Sequence, residues 1–405
     1  LLAAKRSDGR VGLLFIDLDN FKEVNDTLGH PNGDTLLKQA SLRLRDCVRD
    51  NDTVARLSGD EFTVILENIL HEQDVAVVAE KIVAAMAKPF SINTYEVLVG
   101  ASIGVSLYPN DGEDTATILG NADIAMFRAK DQGRNSYCFF TTSMNEQMKH
   151  NMRLGNDLHK ALKRDEFSVF YQPIVDVESN KIVAAEALVR WNHPKRGFLL
   201  PTEFITLAEE RGFIGPLGEW VLKTACCEAA RWHDELADPP RLSVNLSIRQ
   251  IKLGLDRDKI AGLLRQCGLD PGQLTFEITE SLVMEDSAEA IAWLNSVRNL
   301  GIRFSIDDFG TGYSSLSYLK RLPVDILKID RAFVSDLIGD TGNESLIESI
   351  IALAGSFGLD VVAEGVEDEQ QMDFLRRRGC RLLQGYLFSR PLPPDEFLIL
   401  LQDWR

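Results

Sequence analysis

The alternation of strand and helix patterns from Phe167 onward constrains the fold of this chain more than any other feature. Eight apolar, strand-like segments separated by helical stretches fill about 240 residues: "SVFYQPIV", "IVAAEALVRW", "LSVNLSI", "LTFEITE", "RFSIDDF", "DILKID", "VVAEGV" and "LLQGY". Continuous apolar character is typical of parallel strands that are covered on both faces. The number of segments and the length predict a (β/α)₈ barrel.

Acidic and polar residues follow or end these segments. They are Glu186, Asn245, Glu277, Glu280, Asp307, Asp308, Lys328, Asp330, Glu364, Glu367 and Gln384. Because the carboxyl ends of barrel strands meet at one mouth, we expect these side chains to share a pocket. Crowded carboxylates repel one another unless cations neutralise them, and oxygen ligands select Mg²⁺, Mn²⁺ or Ca²⁺. The pattern therefore predicts a metal pair suited to phosphodiester hydrolysis, with Lys328 beside the attacking water or a phosphate oxygen.

Each of these residues also has a simpler interpretation. A single aspartate after a strand is more often a turn former or a helix N-cap than a metal ligand. Lys328 and Asp330 alone would form an ordinary ion pair. The concentration of acids at successive strand ends favours the metal site, while Glu280 and Asp330 are either ligands or supports for ligands.

The first part of the chain has a different order of elements. A strand in "VGLLFIDLDNF" ends in acids, and "SGDE" is expected at the tip of a hairpin. Helices over 74–87 and 114–130 and strands over 96–107 and 137–140 complete a single sheet with helices packed on it. A methionine-rich helix over 143–165 either docks its apolar stripe on a domain or transmits a signal, so the domains are 1–142 and 166–405.

This first part also carries candidate nucleotide contacts. Asp17 and Asp60 are expected to share a metal ion, and Gly59 would let the backbone approach a triphosphate. Further candidates for phosphate and base contacts are Lys22, Asn25, Asp34, Lys130 and Arg134. Taken singly, "SGD" is most often a turn and "AKDQGRN" a helix end.

Composition excludes some classes of function. The 405 residues suggest two or three domains, and the net charge of −17 argues against binding to duplex nucleic acid. The six cysteines form no CxxC pair and no disulfide-scaffold spacing, which predicts a reduced, cytoplasmic protein. No apolar run approaches a membrane span, and a start at Leu1 within a helical pattern suggests a fragment of a longer sensor or membrane-anchored protein.

The stretches "YQPIV", "EALVRW", "VNLS", "FEITES", "DDFGTGYSSLSYL", "LKID", "AEGVE" and "QGYLFSRP" resemble the EAL family of cyclic di-GMP phosphodiesterases over Phe167–Arg405. The resemblance implies a (β/α)₈-type barrel with a modified strand and Mg²⁺- or Mn²⁺-dependent hydrolysis of cyclic di-GMP to linear pGpG. The metal ligands that it implies are Glu186, Asn245, Glu277, Asp307, Asp308 and Glu364, with Lys328 at the nucleophilic water. The substrate-binding or supporting residues that it implies are Gln172, Leu188, Arg190, Glu280, Glu367, Gln384, Gly385 and Phe388.

The stretches "FIDLDNFKEVNDTLGHPNGD", "RLSGDEF", "ASIGVS" and "ADIAMFRAKDQGRN" resemble the GGDEF family of diguanylate cyclases. This resemblance implies metal binding at Asp17 and Asp60 with Glu61 adjacent, and guanine recognition by Asn25 and Asp34. The implied phosphate contacts are Lys22, Lys130 and Arg134. Ser58 replaces the first glycine of the family motif, and the family's usual upstream "LTGLPNR"-like stretch is absent from this chain.

The segment "RDND" has the spacing of the family's inhibitory product site, through Arg49 and Asp52, although alone it would be a solvated charge cluster. The leading function is hydrolysis of cyclic di-GMP. The alternatives are a catalytically silent cyclic di-GMP receptor and a bifunctional enzyme that also makes cyclic di-GMP from GTP. Homodimers are common in both families, and GTP binding is expected to regulate the second domain.

Overall fold

The computed structural model describes residues 1–7, 9–279, 288–310, 319, 321–337 and 340–404. The chain forms two compact units, Leu1–Arg153 and Leu154–Arg405, and both are α/β. Among the described residues, no helix is long and apolar enough to cross a membrane.

The first unit is a five-stranded sheet with helices packed on it. Its elements are α1 (Leu2–Ser7), β1 (Val11–Leu18), α2 (Phe21–Leu28), α3 (His30–Cys47), β2 (Thr53–Ser58), β3 (Glu61–Glu67), α4 (Glu72–Met86), β4 (Phe90–Ile92), β5 (Tyr95–Val97), β6 (Ala101–Tyr108), α5 (Thr115–Asp131) and β7 (Tyr137–Phe139). The strand order is β2-β3-β1-β6-β7, with β1 antiparallel to both β3 and β6. The predicted single sheet is therefore confirmed.

One predicted strand of this unit is wrong. The region 96–107 divides into β5 and β6, because β5 pairs with β4 in a separate two-stranded hairpin. Asn93 adopts a left-handed conformation (φ 55°) in the turn between them, which an asparagine tolerates better than most residues.

The core of the first unit forms on both faces of β1, all of whose residues are buried. Helix α3 contributes an apolar face to this core, since Leu36, Ala40 and Leu44 are each fully buried. Helix α5 packs closely against the sheet, because a Cβ at Gly104 of β6 would lie 1.9 Å from the Ala122 carbonyl oxygen. This close approach brings the last turn of α5 to the edge where β1 ends.

The second unit contains the barrel. Its elements are β8 (Phe167–Asp176), β9 (Lys181–His193), β10 (Gly197–Leu199), α7 (Pro201–Glu210), α8 (Ile214–Glu235), β11 (Arg241–Leu246), α9 (Ile248–Lys252), α10 (Arg257–Cys267), β12 (Leu274–Thr279), α11 (Ala288–Arg298), β13 (Arg303–Phe309), β14 (Ile326–Ile329), α12 (Arg331–Ser335), α13 (Thr341–Phe357), β15 (Asp360–Ala363), α14 (Glu369–Arg377), β16 (Leu382–Gln384) and α15 (Pro394–Asp403). Helix α6 (Thr142–Ala161) covers most of the predicted connector, and its Leu154, Leu158 and Ala161 belong to the core of this unit.

The barrel closes through one antiparallel strand. Strands β9 and β11 to β16 run parallel in sequence order, whereas β8 lies antiparallel between β9 and β16. The predicted barrel with a modified strand is confirmed. A direct hairpin joins β8 to β9, so no helix is required between these two strands.

The expectation that the cysteines remain unpaired is wrong. Cys227 of α8 and Cys267 of α10 form a disulfide with their Cα atoms 4.6 Å apart. The two cysteines are 40 residues apart, so only the packing of α8 against α10 brings their sulfur atoms together.

Candidate active site

A β-bulge explains why two adjacent aspartates end strand β13. The pairing of β13 with β14 shifts between Ile306 and Phe309, and Asp308 adopts a left-handed conformation with φ of 53°. Successive side chains of a regular strand point to opposite faces, and an extra residue in a bulge redirects one of them. As a result, carboxylate oxygens of Asp307, Asp308 and Glu364 all lie within 4.8 Å of one another.

Lys328 is the cation at the centre of this acidic cluster. Its Nζ lies 2.7 Å from Glu277 Oε2, 3.1 Å from Asp307 Oδ1 and 3.7 Å from Glu186 Oε2, and it also contacts Glu364. The side chain is only 1% exposed, so the ammonium is a buried counter-ion for four carboxylates. Lys328 therefore lies among the acids that the sequence predicted to bind metal ions.

Glu186 and Lys328 do not stand at strand ends as predicted. Glu186 lies near the middle of the long strand β9, opposite Gln172 of β8, and Lys328 is the third residue of β14. The prediction failed because β9 continues past the barrel to pair with β10. The side chains nevertheless converge, since the register aligns Glu186 with Ser243 and Asn245 with Glu277.

The carboxylates of the cluster have strongly altered affinities for protons. Burial and then the nearby Glu186 charge raise the pKa of Glu277 well above its usual range. Burial also raises the pKa of Glu364 to about 8, and burial with a hydrogen bond to Asp330 raises the pKa of Asp308 to about 7. Burial alone would lower the pKa of Lys328, but the four surrounding carboxylates raise it.

Glu186 differs from its neighbours because donors surround it. Burial would raise its pKa, but Lys328, the amides of Gln384 and Asn245, and a hydrogen bond with Glu277 together lower it. Gln384 Nε2 donates to Glu186 Oε2 at 2.6 Å, and Asn245 Nδ2 donates to Glu186 Oε1 at 2.7 Å. The pKa values of Glu186 and Glu277 therefore shift in opposite directions, because Lys328 and the two amides favour the charged form of Glu186 while burial beside that charge disfavours the charged form of Glu277.

The donor set fits a hard divalent cation. Every side chain around Lys328 offers carboxylate or amide oxygen, which Mg²⁺ and Mn²⁺ prefer. Asp307 Oδ1 is buried, and among the described residues no donor forms a hydrogen bond to it with good geometry despite its ion-pair contact with Lys328. An unsatisfied carboxylate oxygen beside Asp308 and Glu364 is an available metal ligand.

The predicted substrate residues lie on strands β8, β9 and β16 and in the turn after β16, next to this cluster. Glu186, Leu188 and Arg190 alternate on β9 and therefore face the same side. Gln384 Nε2 also donates to Gln172 Oε1 at 3.1 Å, and Gln172 Nε2 donates to the Ser389 carbonyl oxygen at 3.1 Å. These contacts join the acidic cluster to the turn that contains two more predicted residues, Gly385 and Phe388.

Gly385 is required at this turn by close backbone packing. A Cβ at this position would lie 2.0 Å from the Val366 carbonyl oxygen and 2.3 Å from its backbone nitrogen. Any larger residue would push the turn away from the segment that follows Glu364.

Three further predictions have different outcomes. Glu280 lies outside the described residues. Glu367 is exposed next to the N-terminus of α14, and its backbone N–H donates to Gln371. Asp330 is the N-cap of α12, accepting a hydrogen bond from the Ala332 N–H at 2.6 Å, and it also bonds Asp308. Asp330 therefore supports the cluster from a helix cap.

The acids of the first unit lie where β1 meets the β2–β3 hairpin. Asp17 Oδ1 contacts Lys130 Nζ at 2.7 Å, and the Leu18 N–H donates to the Asp60 carbonyl oxygen at 3.3 Å. Burial raises the pKa of Asp17 although Lys130 opposes the shift.

The predicted hairpin tip is confirmed, with Gly59 at a positive φ of 46°. Glu61 accepts a hydrogen bond from Ser58 Oγ at 2.6 Å, so the serine that replaces glycine supports the tip.

The predicted base contacts come from adjacent helices. Asn25 lies on α2 and Asp34 on α3, and the glycine between them is tightly packed, since a Cβ at Gly33 would lie 2.0 Å from Asn25 Oδ1. Lys22 and Arg134 are exposed and accessible to a ligand.

The sequence analysis missed Asp19, which positions the loop after α5. Its Oδ2 accepts a hydrogen bond from the Asn135 N–H at 2.9 Å, and its Oδ1 accepts one from Ser102 Oγ at 2.6 Å. Asp19 is buried, so this carboxylate anchors the segment that carries Arg134. The motif "DLD" was the available signal, but it does not reveal which aspartate points into the protein.

The predicted inhibitory residues differ from each other. Arg49 is exposed, whereas Asp52 is buried and its carboxylate accepts hydrogen bonds from the backbone N–H groups of Arg49 and Glu67. Asp52 therefore fixes the turn into β2, and a ligand role for this pair stays a prediction.

Comparisons with known proteins agree with this geometry. The EAL domain family matches residues 155–391, and the diguanylate cyclase GGDEF domain family matches residues 1–136. The bifunctional diguanylate cyclase/cyclic di-GMP phosphodiesterase MucR of Pseudomonas aeruginosa is 44% identical over 395 residues, which are 98% of this chain and 58% of that protein. The cyclic di-GMP phosphodiesterase NbdA of the same species is 42% identical over 393 residues, 96% of this chain and 50% of that protein.

A solved structure of the PaMucR phosphodiesterase in complex with c-di-GMP superposes with a TM-score of 0.59 and 42% sequence identity. The match covers 60% of this chain and 99% of the PaMucR chain. The chain spans only about half the length of the curated relatives that it matches.

Proposed function

Because this chain belongs to the EAL domain family and carries a GGDEF domain ahead of its EAL domain, we propose that it hydrolyses cyclic di-GMP to linear pGpG. The observation that carries the proposal is the buried cluster of Glu186, Glu277, Asp307 and Glu364 around Lys328. A domain that only bound the dinucleotide would have no need for so many buried carboxylates, which are costly to keep together.

Mg²⁺ or Mn²⁺ is the cofactor that this donor set fits. One group of ligands comprises Glu186, Asn245, Glu277 and Asp307, and a second comprises Asp307, Asp308 and Glu364. Bound divalent ions would supply Lewis-acid stabilisation of the phosphate and lower the pKa of a bound water. Asp307 belongs to both groups. The bulge places its carboxylate beside those of Asp308 and Glu364, and its contact with Lys328 places it near the other acids that Lys328 contacts.

The residues of the chain have distinct roles around these ions. Lys328 holds its proton at the pH of the cell, so its Nζ–H groups can orient the attacking water or stabilise charge on a phosphate oxygen. Gln172 and Gln384 fix the orientation of Glu186, and Arg190 on the same face of β9 offers a guanidinium group to a phosphate.

The first domain binds GTP in this proposal. Asp17 and Asp60 hold the metal ion, with Glu61 adjacent, while Lys22, Lys130 and Arg134 contact phosphates and Asn25 and Asp34 recognise guanine. Bound GTP then regulates the second domain, which requires GTP to have different affinities for two conformational states. Cyclase activity is a second candidate function, and it would require two GTP-loaded domains in a homodimer. A cytoplasmic location, where GTP is abundant, suits both functions.

A product assay tests the phosphodiesterase proposal. The purified chain is incubated with Mn²⁺ and, separately, with cyclic di-GMP or GTP, and chromatography identifies the products. We expect pGpG from cyclic di-GMP, and no pGpG from Glu186→Ala although that variant remains folded. The exposed Glu219→Ala serves as a matched control and should retain the parental rate. Binding of cyclic di-GMP without product would instead establish the silent receptor, and a parental rate in Glu186→Ala would show that the site is misassigned.

A further inference from the structure

A cavity opens at the end of the barrel where the parallel strands begin. Its volume is about 280 Å³, and its lining includes the first residues of several parallel strands, among them Arg241 of β11, Arg303 of β13 and Asp360 of β15. The cavity extends inward as far as Glu277 and Lys328, which are members of the acidic cluster. At its outer end lies Arg241, which is exposed, so an ion from solvent can reach the cavity.

The charge of this cavity differs in sign from that of the whole chain. Apart from Glu277 and Lys328, which pair within the acidic cluster, three arginines line the cavity against Asp176 and Asp360, which gives a net charge of +1 in a chain of net charge −17. Arg303 contacts Asp360 at 2.9 Å and Arg381 contacts Asp176 at 3.7 Å. Among the described residues Arg241 has no acidic partner, so its guanidinium is available to a ligand.

An unpartnered hydroxyl also lines the cavity. Ser305 Oγ is buried and, within the described part of the chain, has no hydrogen-bond partner. Ser305 is only 1% exposed, and a buried hydroxyl without a partner costs free energy that a ligand acceptor would recover. The hydroxyls of Thr275 on the adjacent strand β12 and of Ser243 on β11 beyond it also line the cavity.

These features identify the chemical class of the ligand. Guanidinium groups bind oxyanions through paired N–H donors, and hydroxyl groups supply further donors to the same oxygens. The volume is at the lower end of small-molecule pockets, so it suits an ion of the size of phosphate better than a dinucleotide. We propose that this cavity is a binding site for a small oxyanion such as inorganic phosphate, held by Arg241 and the hydroxyl of Ser305.

Calorimetric titration of the metal-free full chain with inorganic phosphate, in a chelator and at constant ionic strength, tests this site. We expect one phosphate per chain, with affinity about tenfold weaker in Arg241→Gln because a charge-assisted contact is lost. Ser305→Ala should weaken binding by a smaller factor. Arg257→Gln removes the same charge from an exposed position outside the cavity and should bind phosphate as the parent does.

Arg190→Gln distinguishes this cavity from the catalytic end of the barrel. Because Arg190 lies outside the cavity lining, its removal should leave phosphate binding unchanged. Loss of binding in Arg190→Gln with parental binding in Arg241→Gln would place the anion at the catalytic end and overturn the proposal. No heat of binding up to tens of millimolar phosphate would also overturn it, and the cavity would then hold only water. Melting temperatures of all variants, measured without phosphate, verify that they are folded.

Discussion

The two domains each place carboxylates beside a lysine, but at very different depths. In the barrel, Lys328 is 1% exposed and contacts four acids, whereas Lys130 of the GGDEF domain is 25% exposed and, within the described part of the chain, forms an ion pair with Asp17 alone. Exposed ion pairs are screened by water and contribute little, while a buried charge without its partner is costly. The comparison teaches that a buried counter-ion of the chain itself holds the barrel acids together, whereas Asp17 of the first unit has a partly solvated partner.

The bulge at Asp307 and Asp308 gives the largest expected effect. We expect Asp307→Asn to reduce cyclic di-GMP hydrolysis on the order of a thousandfold or more, because Asp307 is shared by both proposed metal ions and each ~1.4 kcal/mol is tenfold in rate. Asp308→Asn should also be severe but less so. Steady-state rates at saturating Mn²⁺ measure both.

The same variants have a stability readout. Neutralising one member of a crowded acidic cluster relieves repulsion, so metal-free Asp307→Asn should melt no lower than the parent. Mn²⁺ should raise the melting temperature of the parent much more than that of Asp307→Asn. A sharp fall in the metal-free melting temperature with an intact Mn²⁺ response would make the pair a structural turn.

The two lysines test the depth comparison directly. Lys328→Met should lower the free energy of unfolding of the metal-free protein by about 3 kcal/mol or more, because it leaves buried carboxylates without their counter-ion. Lys130→Met should cost less than about 1 kcal/mol, since its pair with Asp17 is partly solvated. Urea unfolding of both variants, followed by a signal specific to each domain, gives the two values.

Addition of Mn²⁺ shows whether Lys328→Met loses stability because the acids lose their counter-ion or because of a packing defect. Mn²⁺ should restore much of the stability lost in Lys328→Met, because the ions would take over the neutralisation of the acids. Equal losses in the two lysine variants, or no Mn²⁺ rescue of Lys328→Met, would contradict the comparison.

The effects that we expect on GTP binding to the first domain are smaller. Asn25→Ala and Asp34→Ala should each weaken GTP affinity about tenfold in calorimetry, since each removes hydrogen bonds to the proposed guanine site. Lys38→Ala, on the exposed side of α3, should bind GTP as the parent does. The phosphodiesterase rate with and without GTP then tests regulation. No detectable binding at millimolar GTP would remove this part of the proposal.

The smallest expected effect concerns a glycine at the hairpin tip. Gly59→Ala should lower the free energy of unfolding by about 1 kcal/mol because its φ of 46° is unfavourable for alanine, although no atom lies within 4 Å of the new Cβ. Gly120→Ala, in the exposed middle of α5 with equally open space, should instead stabilise by about 1 kcal/mol. A stabilising Gly59→Ala would show that the tip does not hold this conformation in solution.

The sequence by itself determined the two fold types, the closed barrel and the acids that gather around Lys328. Apolar patterning is a local property, so it identified the strands of the barrel. The motifs identified Glu277, Asp307 and Lys328 because these residue types follow from the chemistry of metal ions and phosphates.

Only the tertiary structure decided how those residues meet. The bulge that brings Asp307 and Asp308 together with Glu364, the four carboxylates around Lys328 and the place of Glu186 within a long strand all depend on strand register. The same holds for the Cys227–Cys267 disulfide and for the structural use of Asp19 and Asp52. The physical reason is that register and barrel closure are set by many long-range contacts together, whereas a sequence pattern records only neighbours along the chain.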